Sequence, residues 1–242
     1  MRILILVIYS DNDPAYIRMR DIQRKYVHKY ENVDTYFIQS SYIHNEEVYI
    51  ENDMSYVRCP EEYHTIIYKS LLTIDCLTNF FKKEYDFIIR SNISTIINIP
   101  KLLSLLGLFL DKEYLYGGDI AGINYLNRGI RFALGTCIVI SKNLYKKMTS
   151  ELNKFTDQVA DDVAFGLFVE DNCPQAYDHN LSTGQYTFYT HTLANGWNSN
   201  LNDFIDFINE NRKNFYICYR NKTNNRNEDA NIMEYICDNI LD

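Results

Sequence analysis

A chain of 242 residues, 46% hydrophobic and 23% charged, has the make-up of a folded globular protein; this excludes global disorder and leaves room for one large domain or two small ones. Its net charge of −8 excludes a general nucleic-acid binder, although a few local cations suffice to hold a small phosphate ligand. Six cysteines without a CxxC pair argue against a zinc site or a disulfide framework, and read as reduced thiols in a cytoplasmic protein.

Residues 3–9 (ILILVIY) form a near-continuous apolar run, the pattern of a strand covered on both faces. The run is too short for a membrane span, and no small-residue cleavage site follows it. SDNDP is a turn with Pro14 placed to open a helix over 15–30, where Ile17, Ile22, Tyr26 and Val27 form a loose stripe. A second strand is expected at 35–39, then a polar stretch with a short extended piece. Ile66, Ile67, Leu71, Ile74, Leu77 and Phe81 predict a long amphipathic helix near 62–82, followed by a strand over 85–90. This alternation predicts an α/β fold with a mainly parallel sheet. Further on, PKLLSLLGLFL reads as a helix, YLYGGDIAG as a glycine-punctuated turn, RFALGTCIVIS as containing a strand and NLYKKMTSEL as a helix. VADDVAFGLFVEDN is a helix opened by acidic residues, as the helix dipole favours. Residues 171–200 read as irregular, and the tail as a strand, a basic turn and a closing helix. No repeat and no linker divides the chain, so one domain is expected.

In open α/β sheets ligands lie at the carboxyl ends of strands. Three polar clusters occupy such ends: Ser10-Asp11-Asn12-Asp13, Arg90-Ser91-Asn92 with Ser94, and Gly117-Gly118. Asp161-Asp162 precedes an apolar helical run; it reads either as a helix cap or as a carboxylate that takes a proton from a substrate hydroxyl. Lys69, on an otherwise apolar helix face, is expected to snorkel. Arg220, Lys222 and Arg226 form a basic island that is either a solvated turn or a phosphate clamp. The five histidines show no metal-ligand spacing.

Four segments in order carry a resemblance. EEYHTIIYKSLLTIDCL resembles the Asp/Glu-x-Tyr-x-Asn-Leu-Thr-x-Lys-Thr segment of the β-1,3-glycosyltransferase and fringe family, and YDFIIRSN falls where that family has a strand ending in Asp-x-Asp. FALGTCIVISKNLYKKM and ADDVAFG resemble its Gly-x-Gly-Tyr-Val-Leu-Ser strand and its Glu/Asp-Asp-Val-x-x-Gly motif. A nearer likeness is to virus- and bacterium-encoded glycosyltransferases of the GT-A fold, which read Arg-Thr-Asn-x-Ser-Ser at the second place and end in a segment like YRNKTNNRNED.

The resemblance implies a single GT-A domain over 1–242, with about 1–100 as the nucleotide-sugar-binding half and about 101–242 as the acceptor-binding half. It implies transfer of a hexose from a nucleotide-sugar, a UDP-sugar above all, to a hydroxyl of a glycan or glycoprotein, with inversion at the anomeric carbon if the fringe-like motif carries its stereochemistry, although the GT-A fold also supports retention. No nucleic acid and no membrane span enter, and a viral protein of this kind would act in the host cytoplasm. Carried over by position, Asp162 becomes the general base with Asp161 beside it. Tyr9 and Ser10 would meet the base and ribose, and Lys69, Arg220 and Lys222 the nucleotide or diphosphate. Arg90 would offset diphosphate charge where the family binds manganese or magnesium, Ser91, Asn92 and Ser94 would hydrogen-bond ribose or sugar, and Gly135 and Thr136 would border the donor sugar. Cys218 and Tyr219 stand where a metal-binding histidine is common, so the metal is either dispensed with or held weakly. A nucleotidyltransferase is a rival reading, against which SDNDPAY lacks a glycine; the other rival is a non-catalytic nucleotide-sugar or carbohydrate-binding protein that keeps the fold.

Overall fold

The computed structural model describes residues 1–176, 187–190, 202, 205–206, 216–220 and 223–241. Its main sheet is built on β1 (Ile3–Ile8), whose unbroken apolar run is buried on both faces as the sequence pattern requires. β1 pairs in parallel with β2 (Val33–Ser40) on one side and β5 (Phe87–Asn92) on the other. Beyond β2 lie β4 (Met54–Val57), parallel to it, and β3 (Val48–Glu51), antiparallel to β4. Beyond β5 lie β10 (Cys137–Ser141) and the two-residue β7 (Tyr116–Gly117), each antiparallel to its neighbour. The seven strands run in the order β3-β4-β2-β1-β5-β10-β7, so the parallel core is four strands wide with antiparallel flanks.

Side-chain alternation divides the core in two. Ile3, Ile5, Val7, Phe87 and Ile89 face one layer, with α1 (Pro14–Val27), α3 (Ile99–Gly107) and α6 (Arg226–Asn239). Leu4, Leu6 and Ile88 face the other, with α2 (Ile66–Asp75), α4 (Lys142–Ser150) and α5 (Asp161–Asn172). α1 starts at Pro14 with Asp13 as its cap, its Oδ1 accepting from Ala15 N at 2.8 Å. Its buried face is Ala15, Met19, Gln23, Tyr26 and Val27; Ile17, expected in that stripe, is 37% exposed. The helix expected over 62–82 is continuous but changes pitch, from a 3₁₀ turn (Tyr63–Thr65) through α2 to a π turn (Cys76–Phe80).

A smaller sheet carries β6 (Thr95–Ile97) and β12 (Tyr216–Arg220), which are antiparallel, and β11 (Thr187–Thr190), parallel to β12. A hairpin, β8 (Ile120–Tyr125) and β9 (Arg128–Ala133), packs beside α5.

Several expectations are corrected. The third core strand does not end at Arg90: Arg90, Ser91 and Asn92 continue the ladder against Leu6, Val7 and Ile8. Polar residues stay in a strand here because neighbours on both sides supply backbone partners. YLYGGDIAG is not merely a turn but supplies β7 and the start of β8, with Gly118 at φ +147° between them. A Cβ on Gly118 would stand 2.4 Å from Cys137 O, which explains the glycine. RFALGTCIVIS holds two strands in different sheets, β9 and β10, separated by Leu134-Gly135-Thr136. Within 171–200, expected to be irregular, the described part includes the end of α5, a 3₁₀ turn and β11, and the remainder lies outside the described residues.

Gly166 in α5 has a packing reason. A Cβ there would meet Arg131 O at 2.4 Å and the Phe132 side chain at 2.6 Å, so the glycine lets α5 lie directly on β9. Gly166→Ala is expected to cost about 1–3 kcal/mol in denaturant unfolding, because the backbone it strikes has no room to yield. At the opposite end of the sheet, burial raises the Asp34 pKa, but hydrogen bonds from Tyr85 and Arg2 and the charge of Lys83 outweigh it, leaving a net lowering. A lowered carboxylate stabilises the fold above its unfolded pKa and loses that contribution as pH falls through the folded value. Asp34→Asn should therefore lower the melting temperature at neutral pH and leave it less sensitive to acid below about pH 4.

Candidate active site

The Arg90 cluster sits where the chain leaves the main sheet. After Asn92 the backbone turns through Ile93 and Ser94 and enters the smaller sheet as β6. The turn is pinned on both sides: Ile93 N donates to Ile8 O at 3.1 Å, and Gln23 Nε2 donates to Ile93 O at 2.7 Å. Arg90 and Asn92 share the Ile88 face toward α5, and Ser91 points the other way.

Arg90 is 3% exposed. Its Nη2 lies 2.7 Å from Asp161 Oδ2, and its Nη1 donates to Asn92 Oδ1 at 2.8 Å and to Gly135 O. Gly135 is required by this approach, since a Cβ would fall 2.5 Å from Arg90 Nη1. Asp161 is equally buried, and desolvation holds its carboxyl above the ordinary range in spite of the arginine. Neither acidic residue is the helix cap: Ala160 occupies that position and makes no side-chain cap bond. Asp161 is committed to Arg90, while Asp162 Oδ2 accepts from Gly135 N at 3.2 Å and Oδ1 from Val163 N at 2.9 Å. Asp162 is half-buried. Arg90 thus fixes Asp161, Arg90 and Asp162 meet at the two backbone groups of Gly135, and Asp162 stays half-buried.

Arg220 ends β12 opposite Thr95. Burial lowers its pKa, and the positive charges of Arg90 and Arg226 lower it further, while Asp162 raises it. Arg226 is tied to Asp229 at 3.0 Å, whereas Arg220 forms no ion pair among the described residues. Tyr63 borders the same group and was not singled out from sequence. It is 60% exposed on the 3₁₀ turn beside α5, and partial burial of its hydroxyl raises its pKa first, with Asp162 and Asp161 raising it further. Tyr63 stands at the tyrosine of the Asp/Glu-x-Tyr segment, but its place beside the carboxylates is set by α5, which the segment does not show.

The other expected residues fall as follows. Ser91 is buried and donates to Thr136 O at 2.7 Å; Thr136 is buried too, and Ser94 is 7% exposed. Tyr9 is 2% exposed in the core, with the Arg20 guanidinium 5.3 Å from its ring centroid and donating to its hydroxyl at 3.2 Å. Ser10 is half-buried and accepts from Asn12 N. Lys69 does not snorkel: it is fully buried, with Nζ 2.6 Å from Glu61 Oε1, and Glu61 also accepts from Ser40 N at the end of β2. Lys222 lies outside the described residues. An aromatic group near the β1 and β2 ends was also missed: His44 stacks on Tyr49 at 3.8 Å, and Tyr56 lies 5.5 Å from His44. Its signal was present, since Tyr49 and Tyr56 pair across a two-residue hairpin at Asn52-Asp53, with Asn52 at φ 54°.

The residues do not fit the manganese or magnesium that the resemblance carries with it. Arg90, Ser91 and Asn92 occupy the family's carboxylate positions, Asp161 is spent on Arg90, and among the described residues no three His, Cys, Asp or Glu side chains group to hold a metal. A cavity of about 630 Å³ lies elsewhere, between α1, the first half of β2 and the β3–β4 turn. Two basic side chains of its lining are engaged in ion pairs, Arg24 with Asp53 and Lys83 with Asp34, and it lies at the first half of β2, away from the strand ends described above.

No protein-family model and no curated protein matches the chain. Among solved structures it is similar to a glycosyltransferase involved in the glycosylation of the major capsid of PBCV-1, at 15% identity and a TM-score of 0.48, over 97% of this chain and 100% of that one. It is also similar to the glycosyltransferase GlyE of Streptococcus pneumoniae TIGR4: in the apo form at 13% identity, TM-score 0.41, over 92% of this chain and 55% of that one. A second GlyE structure gives 12% identity, TM-score 0.40 and coverage of 93% and 55%, so this chain spans about half the length of GlyE. Among the described residues no helix is long and apolar enough to cross a membrane.

The Arg90–Asp161 pair can be tested by a double-mutant cycle read in denaturant unfolding. Arg90→Met or Asp161→Leu alone leaves a buried charge unpaired and is expected to cost about 3–5 kcal/mol. The double variant should cost clearly less than the sum of the two; additive losses would mean that the pair is not formed.

Proposed function

We propose that this chain is a glycosyltransferase that moves a sugar from a nucleotide-sugar, a UDP-sugar foremost, to a hydroxyl of a glycan or glycoprotein. The observation that carries the reading is Asp162: a half-buried carboxylate at the start of α5, held by the N–H groups of Gly135 and Val163, beside an Arg220 that no described carboxylate pairs. A carboxylate fixed in this way can accept the proton of an incoming hydroxyl, and the cation can receive the charge of a departing diphosphate. The motif order in the sequence supports the same reading. The donor would meet residues of about 1–100 together with Arg220 and Lys222, with Tyr9, Ser10 and the His44–Tyr49–Tyr56 group toward its base. The acceptor would be met by residues of about 101–242, with Tyr63 at the boundary.

Asp162 acts as the general base: the acceptor oxygen bonds to the anomeric carbon as the bond to the diphosphate oxygen breaks, and the acceptor proton passes to Asp162. Asp161 and Arg90 position the base. Asp162→Asn should reduce turnover by about 10²–10⁴, with release of nucleoside diphosphate from a panel of nucleotide-sugars as the assay. Its affinity for UDP should stay that of the wild type. Undiminished turnover in Asp162→Asn would remove that residue from the role. Donor binding by the wild type without turnover on any acceptor would favour a non-catalytic binding protein.

A further inference from the structure

Four buried polar atoms around the seam between the two sheets have no hydrogen-bond partner: Asp161 Oδ2, which faces the Arg90 Nη2 charge at 2.7 Å, and Arg90 Nε, Thr95 Oγ1 and Arg220 Nε, which face no such charge. Buried donors are rarely left so, and each calls for a partner. Arg220 and Thr95 stand opposite each other in the β12–β6 ladder, which puts their side chains on one face. Thr95 follows closely on Asn92 at the bend out of β5. Both guanidinium nitrogens can only donate and the hydroxyl can donate, so the missing partner is an acceptor. Its charge follows from the arginines. Arg90 is neutralised by Asp161 and Arg226 by Asp229, but Arg220 stands within reach of both arginines' repulsion, with no ion pair of its own among the described residues. Asp162 is its nearest opposite influence, and that carboxylate is already held by Gly135 and Val163.

We propose that the seam between β5, β6 and β12 is an anion site for the diphosphate of the donor nucleotide, in which the fixed charge of Arg220 takes the place of a divalent cation. The inference rests on the nucleotide-sugar reading above. Arg220 presents a planar fork of donors suited to phosphate oxygens, and Thr95 adds a hydroxyl. Arg90 does not bind the diphosphate through its terminal nitrogens, all of which are committed; it contributes its Nε–H and the shape of the seam. Binding of a nucleoside diphosphate therefore needs no metal.

Calorimetric titration of the full chain with UDP, UMP and inorganic pyrophosphate, each in EDTA and each with manganese, tests this. The wild type should bind UDP in EDTA more tightly than UMP. Arg220→Gln should weaken UDP about 10- to 100-fold and UMP much less, with Arg220→Lys in between. Circular dichroism checks that both variants fold. UDP binding that requires manganese, or an unaltered UDP affinity in Arg220→Gln, overturns the proposal and leaves the glycosyltransferase reading standing. Pyrophosphate separates the remaining failures. If it binds in EDTA and is lost in Arg220→Gln while UDP, GDP, ADP and CDP all fail to bind, the anion site stands and the nucleotide-sugar reading falls. If neither pyrophosphate nor any nucleotide binds, the anion site falls.

Discussion

Burying a guanidinium in a parallel strand is the constraint on which the site depends. Arg90 lies in β5 between neighbours on both sides, at 3% exposure, and water cannot solvate its charge there. An unpaired charge in that position would be costly, so another element must deliver a carboxylate to it. α5 does so with Asp161. Because Asp161 is the first residue of α5, satisfying Arg90 also sets where that helix begins and which way it points. The next residue, Asp162, is then held at a defined place without itself being consumed. Buried ion pairs contribute little net stability, and burial holds the Asp161 carboxyl above its ordinary range even beside the arginine. What this pair supplies is position.

Two glycines make that geometry reachable. Gly135 lets the Arg90 guanidinium reach a backbone carbonyl and lets its own N–H reach Asp162. Gly166, one turn further along α5, lets the helix settle onto β9. The same loop that carries Gly135 joins the hairpin to β10, so the hairpin, the edge of the main sheet and α5 are locked to one another through a few atoms around Arg90. The smaller sheet enters through the bend after Asn92 and brings Arg220 to the open side of this group.

Much of this was legible in the sequence, and the failures have common causes. β1, α1, α5 and α6 carry strong signals: an unbroken apolar run, Pro14 after a capping aspartate, paired acids before an apolar stretch, and a polar turn before an amphipathic tail. The polar end of β5 reads as a strand end in the sequence, whereas membership is decided by backbone partners on β1 and β10. β4 is too short, and interrupted by the buried Ser55, to show an apolar run, and the largely exposed β8–β9 hairpin has none to show. The acidic pair stood out locally, but its division of labour did not. Whether Asp161 or Asp162 is free depends on Arg90, and their meeting is a property of the tertiary fold. Lys69 failed for a related reason, since Glu61, which neutralises it in the interior, precedes the helical pattern.

A fixed arginine and a divalent ion solve the same electrostatic problem with different consequences. An ion is attracted by carboxylates, so a site built for one concentrates negative charge before the ligand arrives. Here the carboxylates are distributed otherwise: Asp161 is cancelled by Arg90, Asp229 by Arg226, and among the described residues Asp162 and Arg220 remain without an ion pair. Such a site is close to neutral before binding and carries its two opposite charges on different elements, α5 and β12. A diphosphate drawn to Arg220 would leave Asp162 free for a hydroxyl, with no shared metal linking the two tasks. The separation of charge follows from placing a carboxylate-seeking arginine inside β5 and an unmatched one at the end of β12.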